Sequence, residues 1–191
     1  MSINQFSSVT TKAGDEGKTS LANGERRFKS ETIFEVLGDL DELSSNLGIL
    51  KLQFSGLESD EQVPLQIMRI QKTLLSIGGL VASPANTWDD AVLGQLEEGI
   101  RLTLSDLEDW EHHFLEGFQF EGFIIPGAAL IPAWCDVSRT VCRRTERKLV
   151  KHIHESYTEH LRTSLMFLNR LSDYLWVLGR YWVRREGLAE I

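Results

Sequence analysis

From about Thr32 onward, apolar residues recur every three or four positions, which is the spacing of one face of an α-helix. The first such run ends near Phe54, and Gly56 follows it. The second run ends near Val81, with Pro64 placed as in a first helical turn. These two runs predict two long amphipathic helices.

Three further runs have the same period. They predict a third helix from about Thr87 to Phe114, a fourth over about 129–153 and a fifth over about 160–186. Pro132 suits the fourth helix only because it falls near its first turn. The aromatic, glycine-bearing stretch from Gly117 to Gly127 is predicted to be a loop. Long helices with short connections predict an all-α, antiparallel bundle of four or five helices.

The first 28 residues lack this period and are rich in Gly, Ser and Thr. They predict a loop, with one short extended piece near Phe6 to Thr10. We therefore expect a single domain that consists of an N-terminal loop over 1–28, a bundle over 29–186 and a tail over 187–191.

The charge and the apolar content of the chain exclude some classes of function. The chain has 28 acidic and 20 basic residues, a formal net charge of −8, which argues against a general nucleic-acid binder. No apolar run approaches the length of a membrane span, and Met1 to Thr11 lacks the features of a secretory signal. We expect a protein of the cytoplasm, or of an organelle matrix if a presequence was removed, without a membrane partner.

Cys135 and Cys142 are seven residues apart on one predicted helix, roughly 10 Å along its axis, which is too far for a disulfide. We expect both to be buried small hydrophobic residues. The five histidines form no Glu-x-x-His pair of a di-iron bundle and are predicted to lie on the surface. Tryptophans at helical spacing are predicted to belong to the core.

A first candidate site is the stretch from Thr11 to Leu21, which contains two glycines, two lysines and several hydroxyls. Such a loop can wrap phosphates with backbone N–H groups and cations. Although Gly17-Lys18-Thr19 resembles the end of a Walker A motif, position 12 is Lys where that motif needs Gly. The alternative interpretation is a flexible polar tail.

A second candidate site is the arginine-rich run on the predicted fourth helix. Arg139, Arg143 and Arg147 share one helical face, and Glu146 can hold Arg143 by an ion pair. Guanidinium groups in such a stripe can clamp a polyphosphate. The alternative is a solvated, salt-bridged helix face.

Two further polar stretches interrupt apolar helices. In the run Asp39-Leu40-Asp41-Glu42, we expect at least one carboxylate to face inward or an interface and to pair with an arginine of another helix. In the run from Asn169 to Asp173, the two end residues share a face. Solvated faces, caps and surface pairs are the alternatives.

Together these stretches resemble the PduO-like, trimeric class of ATP:cob(I)alamin adenosyltransferases. The motifs that carry the resemblance lie in order over about residues 9–185. They are Thr11-Lys12-x-Gly14-Asp15-x-Gly17-x-Thr19-Ser20-Leu21, then Arg26, Lys29, Glu35 and Gly38 before Asp41-Glu42-Leu43, then Phe123 to Gly127, Arg139 to Arg147, and Phe167 to Leu175.

The resemblance implies a ferritin-like helical bundle that transfers the 5′-deoxyadenosyl group of ATP to the cobalt of cob(I)alamin, releasing triphosphate. It also implies a homotrimer with active sites between subunits, Mg²⁺ on the ATP phosphates, and an adenosylcobalamin-dependent enzyme as a recipient of the product. The residues that it assigns to ATP are Thr11, Lys12, Gly14, Asp15, Gly17, Lys18, Thr19, Ser20, Lys29, Arg139, Arg143, Glu146 and Asn169.

The same resemblance gives two residues other roles. Phe123 would lie on the lower face of the corrin and displace the lower axial ligand, and Asp41 would pair with Arg139 across the subunit interface. Asp41, Phe123, Arg139, Arg143 and Glu146 are thus the expected catalytic group.

The chain departs from the family pattern at several positions. Ala128 and Ala129 stand where Gly and Ser or Thr are usual, Ser44 stands for Asn, Asp136 for His, and Asp39 for a small residue. A related bundle that binds nucleotide or corrinoid without turnover, as a carrier or regulator, is therefore the second interpretation. A purely structural bundle is the third.

Overall fold

The computed structural model describes residues 12–55, 57, 61–83, 89–117, 124–156 and 158–188. Five helices dominate this part of the chain, as the apolar period predicted. A short 3-10 turn, Glu159–Leu161, precedes the last of them. In chain order the elements are β1 (Lys18–Ser20), β2 (Arg26–Phe28), α1 (Thr32–Phe54), α2 (Gln62–Val81), α3 (Asp90–Leu115), α4 (Leu130–Ser156) and α5 (Arg162–Arg185).

The helices form a closed ring around one apolar core. α1 packs on α4, α4 on α5 and α5 on α3, and α2 fills the remaining place between α3 and α1. Each helix contributes the residues that recur on its apolar face, among them Leu43, Ile70, Leu107 and Leu171. The prediction of an all-α bundle is confirmed.

The contact between α4 and α5 is especially close at Gly179. A Cβ atom at this position would lie 3.1 Å from the Cβ of Cys135 and 3.6 Å from the Cα of Pro132. Pro132 is tolerated because it lies in the first turn of α4, where its missing N–H has no helical partner. Glycine therefore allows α4 and α5 to approach each other closely at this position.

Cys135 and Cys142 are both buried and unpaired, as predicted. Burial raises the pKa of each thiol well above its ordinary value. Neither cysteine is therefore a nucleophile at neutral pH.

The N-terminal head, residues 1–28, was predicted to be a loop with one short extended piece, but its described part contains a hairpin. β1 and β2 form an antiparallel hairpin in which Thr19 is opposite Arg27. The buried side chain of Leu21 and a 3.2 Å hydrogen bond from the amide of Ala22 to the carbonyl of Ala82 fasten this hairpin to the end of α2. The extended piece that was predicted near Phe6 lies outside the described residues.

One side-chain prediction needs correction, and another is confirmed in part. His152 is 8% exposed and lies inside the bundle, so the prediction of a surface position is wrong for this histidine. Among the tryptophans, Trp182 is buried, whereas Trp110 and Trp176 are half-buried at the rim of the core. Within the described ranges, no helix is both long and apolar enough to cross a bilayer.

Candidate active site

The arginine-rich face of α4 opens into a cavity of about 420 Å³ between α3, α4 and α5. Arg139 and Arg143 line it from α4, and Ser172, Asp173 and Trp176 line it from α5. Arg139 and Arg143 are four residues apart on α4, and Trp176 follows Ser172 by four and Asp173 by three on α5, so each helix turns one face toward the cavity. The cavity thus combines two guanidinium groups with a half-buried aromatic ring.

A neighbouring arginine of the same run points elsewhere. The Nε of Arg144 lies 3.1 Å from Oδ2 of Asp39 in α1, and its terminal nitrogen also contacts Glu42. Lys148 adds a second cation, 3.1 Å from the same Asp39 oxygen. The prediction that a carboxylate of this α1 stretch turns inward and pairs with an arginine is confirmed for Asp39.

Glu146 and Asn169 come together between α4 and α5. The Asn169 amide donates a hydrogen bond to Oε1 of Glu146 over 3.1 Å. The predicted ion pair between Glu146 and Arg143 does not form among the described residues, because Glu146 turns toward α5 instead. Arg143 is consequently exposed and its charge faces the cavity.

Asp136 holds a position that the sequence did not reveal. Its carboxylate is buried, accepts a hydrogen bond from Arg180 of α5 over 2.8 Å, and also contacts the Nε of Arg139 at 3.3 Å. The i,i+3 spacing of Asp136 and Arg139 could have indicated the second contact. The contact with Arg180 joins different helices, so no spacing in the sequence indicates it.

The cavity also contains a carboxyl group with a perturbed pKa. Burial raises the pKa of Glu111 above its ordinary value, the negative charge of Asp173 acts in the same direction, and Arg170 opposes both. The negative charge of Asp173 therefore disfavours ionisation of Glu111 beside the two arginines.

The head is folded around Lys29. The Nζ of Lys29 donates to the Gly14 carbonyl at 2.9 Å, and its amide donates to the Gly17 carbonyl at 2.9 Å. Gly17 has a φ of +76°, which glycine adopts without strain. Lys18 lies 4.7 Å from the ring centroid of Phe28. The described part of the predicted phosphate loop is thus a folded turn held by Lys29.

The remaining residues assigned to ATP differ in exposure. Lys12, Asp15 and Ser20 are exposed, and Thr19 is half-buried. The predicted site residues Thr11 and Phe123 lie outside the described residues.

The two halves of the predicted ATP site lie apart within one chain. No described head residue lines the cavity that contains Arg139 and Arg143. Asp41 lies in yet another place, an apolar groove of about 530 Å³ between α1 and α2 that also includes Leu37 and Leu75. Within the described part of one subunit, these predicted site residues therefore do not assemble into one site.

Comparison with known proteins connects this arrangement to a family. The family model described as cobalamin adenosyltransferase matches residues 9–182. The chain belongs to this family. It is 33% identical over 190 residues to the cobalamin adenosyltransferase of Cupriavidus metallidurans, covering 98% of this chain and 95% of that protein. It is 35% identical over 183 residues to the human corrinoid adenosyltransferase MMAB, covering 95% and 71% respectively.

A solved structure agrees. The chain is similar to a variant of the PduO-type corrinoid adenosyltransferase from Lactobacillus reuteri complexed with ATP, with a TM-score of 0.76, 27% identity and coverage of 95% and 97%. The predicted resemblance and the predicted enzyme class are both confirmed. The family transfers an adenosyl group to a corrinoid, and this is the activity that the sequence predicted.

Proposed function

We propose that ATP binds between the head of one subunit and the α4–α5 cavity of its neighbour, and that its 5′-deoxyadenosyl group passes there to the cobalt of cob(I)alamin. The observation that carries the proposal is the separation of Lys29 and its loop from Arg143 within one chain. Both halves contain cationic side chains, and a site between subunits would bring these to one triphosphate. The ATP complex of the Lactobacillus reuteri relative supports the choice of nucleotide.

The reaction demands positive charge more than a protein nucleophile. The cobalt(I) supplies an electron pair to C5′ of ATP, the cobalt–carbon bond forms, the C5′–O bond breaks, and triphosphate leaves with the pair from that bond. The protein must hold the reactants in line and stabilise the negative charge of the leaving group. Arg139 and Arg143 suit this role because guanidinium groups stay charged and bind phosphate oxygens in pairs.

Mg²⁺ would come with the nucleotide. The described residues contain no group of three or more His, Cys, Asp or Glu side chains that could hold a metal ion. The triphosphate oxygens would therefore supply most of its ligands, and the ion would add positive charge beside the leaving group. Lys12, Lys18 and Lys29 of the head would share the remaining phosphate charge.

The other nucleotide contacts would come from both halves of the site. The backbone of Gly14 and Gly17 and the polar side chains of Asp15, Thr19 and Ser20, together with Thr11, would enclose the triphosphate. Glu146 and Asn169 would contact the nucleotide from the bundle, where their hydrogen bond already orients them.

The corrinoid would enter from the loop before α4. We propose that Phe123 stands on its lower face, where an apolar ring excludes water and the lower axial ligand. A cobalt without that ligand is more readily reduced to the nucleophilic cobalt(I) state, which is chemistry of the corrinoid that the protein only favours.

Assembly into a homotrimer would complete the site. Asp41 would pair with Arg139 of the adjacent subunit, and the apolar α1–α2 groove beside Asp41 would face that subunit. Leu75 on the groove is 79% exposed in the single chain, which supports its burial by a second copy.

We propose further that the chain acts as one domain, with its head over 1–28, bundle over 29–186 and tail over 187–191. It would work in the cytoplasm or an organelle matrix and pass its product to an adenosylcobalamin-dependent enzyme.

The test is an assay with MgATP, cobalamin and a strong reductant, followed by the absorbance change that accompanies formation of adenosylcobalamin. Formation of adenosylcobalamin and triphosphate in equal amounts is expected. If the chain binds ATP but forms no product, the interpretation as a carrier or regulator replaces that of an enzyme.

A further inference from the structure

One buried carboxylate connects the candidate site to the centre of the bundle. Asp136 is 5% exposed, and its two oxygens have different partners. Oδ2 accepts a hydrogen bond from Arg180 of α5 over 2.8 Å, and Oδ1 accepts one from the Nε of Arg139 over 3.3 Å. The three side chains therefore form a line from the core to the cavity.

The inner contact of this line is firmly held. Arg180 is 3% exposed and projects from α5, so the Asp136–Arg180 pair is shielded from solvent. A buried carboxylate is costly without a charged partner, and removal of one member leaves the other charge uncompensated. Asp136 consequently has little freedom to leave this position while the bundle is folded.

The outer contact transfers that restraint to the site. An exposed i,i+3 ion pair alone would restrict an arginine only weakly. Here Arg180 of α5 fixes the Asp136 carboxylate, which is the acceptor, so the Nε of Arg139 is fixed too. The terminal Nη nitrogens of Arg139 make no hydrogen bond to any described residue, so they stay available for a phosphate in the cavity and for Asp41 of the adjacent subunit.

We propose that Asp136, fixed by Arg180, is a positioning residue that presents the guanidinium of Arg139 to the triphosphate of ATP. The inference rests on the proposed function, since it assigns Arg139 to the nucleotide site. It gives Asp136, which stands where the family usually has histidine, a definite role in this chain. Asp136 itself touches no substrate.

The experiment is a double-mutant cycle on Asp136→Asn and Arg139→Ala, read by ATP binding in titration calorimetry and by KM for ATP and for cob(I)alamin. Asp136→Asn should raise KM and Kd for ATP between about tenfold and a hundredfold, because a misplaced Arg139 loses contact with the triphosphate. KM for cob(I)alamin should stay unchanged. In the Arg139→Ala background, Asp136→Asn should have no further effect on ATP.

Two variants control for stability. Asp136→Asn combined with Arg180→Met removes the buried charges together, a change that proteins often tolerate, and it should reproduce the ATP defect in a folded chain. Asp39→Asn removes another buried carboxylate that pairs with two cations, Arg144 and Lys148. It should lower thermal stability without changing KM for ATP.

The outcomes separate the inference from the proposed function. An active wild-type chain in which Asp136→Asn leaves ATP binding unchanged, or weakens it equally with and without Arg139, overturns the inference alone. A wild-type chain that binds ATP but transfers nothing, and whose ATP binding still shows the Arg139-dependent loss, overturns the proposed activity and supports the inference. A wild-type chain that does not bind ATP overturns both.

Discussion

The side-chain amide of Asn169 in α5 donates a hydrogen bond to the Glu146 carboxylate in α4 over 3.1 Å. This bond fixes one side chain of each helix beside the arginine-rich face. It also explains why Glu146 makes no ion pair with Arg143, whose positive charge is therefore available to a bound anion. Glu146 therefore serves as the hydrogen-bond acceptor for the Asn169 amide, and it does not neutralise the charge of Arg143.

Loss of this bond should weaken nucleotide binding. Glu146→Ala is expected to raise KM for ATP about tenfold because Asn169 loses the acceptor that orients it. Glu146→Gln keeps an acceptor oxygen and should recover most of the loss. The measurement is steady-state kinetics with ATP varied at saturating cob(I)alamin. Glu155→Ala, the same change near the exposed end of α4, is the matched control, and an equal effect of both alanines would exclude the role of Glu146.

The head offers a steric test at Gly14. A Cβ atom there would lie 2.8 Å from the Nζ of Lys29, so Gly14→Ala should displace the lysine from its place over the loop. Because the end of a lysine side chain moves easily, we expect a higher Kd for ATP with almost unchanged thermal stability. ATP titration and thermal unfolding measure the two quantities.

The matched control for Gly14→Ala is Gly94→Ala. Gly94 lies within α3, and a Cβ atom there would meet nothing within 4 Å. Alanine at such a helical position should stabilise the fold by ~1 kcal/mol and leave ATP binding unchanged. If both variants bind ATP like the wild type, the Lys29 loop does not hold the nucleotide.

The helices could be predicted from the sequence because each buries one continuous apolar face in a long run. Buried residues such as Leu43 and Leu50 recur at the helical period over several turns, so a single residue that breaks the pattern does not hide it. The β1–β2 hairpin could not be predicted in this way, since strands of three residues are too short to show alternation. Its position depends on Leu21, whose burial against the bundle is a tertiary contact.

The site shows the same limit. The inward position of Asp39 was predictable because a carboxylate among apolar positions of one helix needs a partner wherever it lies. The pair of Asp136 with Arg180 spans 44 residues and two helices, and no spacing rule connects them. The predicted Glu146–Arg143 pair was wrong for a related reason, because helical spacing identifies neighbours on one helix but not a competing amide from another.

His152 gives the protein a defined response to pH. Burial lowers its pKa below the ordinary value of 6.5, Glu155 opposes this, and the charges of Arg27 and His160 add to it. From pH 6.5 down to the lowered pKa, the unfolded chain binds a proton that the folded chain does not. The contribution of His152 to the free energy of unfolding is therefore complete above pH 6.5. It is lost as the pH falls from 6.5 through the lowered pKa.

Urea unfolding at pH 7.5 and pH 5.5 measures this effect. The wild-type chain should lose more stability between the two values than His152→Gln, which has no titrating group at this position. Parallel losses in the two proteins would show that other groups cause the acid sensitivity.

Arg143 is expected to carry much of the transition-state stabilisation. Arg143→Ala should lower kcat at least about a hundredfold, since loss of one preorganised charge at a developing anion has effects of this order. The fold should persist because the side chain is exposed at the cavity. Arg143→Lys should recover only part of the rate, because an ammonium group cannot bind two phosphate oxygens in the same plane.

The matched control for Arg143→Ala is Arg101→Ala. Arg101 is also exposed, and within the part of the chain that the structure describes, its one ion pair is a distant contact with Glu98 on α3 at 4.0 Å. Circular dichroism and kcat at saturating substrates provide the comparison. Equal rates for the two alanine variants would remove Arg143 from the site.

The proposed contact of Asp41 with Arg139 of an adjacent subunit can be tested by complementation. Asp41→Ala and Arg139→Ala should each be poorly active because each removes one member of the pair from every interface of its own homotrimer. When the two variants are unfolded, mixed and refolded together, some interfaces combine the intact Arg139 of one subunit with the intact Asp41 of its neighbour. Activity should return in the mixture, and light scattering should show trimers.

The control is a refolded mixture of wild-type chains with chains that carry both substitutions. Mixed trimers of these chains form an intact pair only where two wild-type subunits meet, so their activity should never exceed that of the wild-type fraction alone. If Asp41 and Arg139 acted within one subunit, mixing the single variants would restore nothing, because every chain would still lack one partner. Recovery therefore requires that the pair be built from two chains, and a monomer in light scattering would contradict it directly.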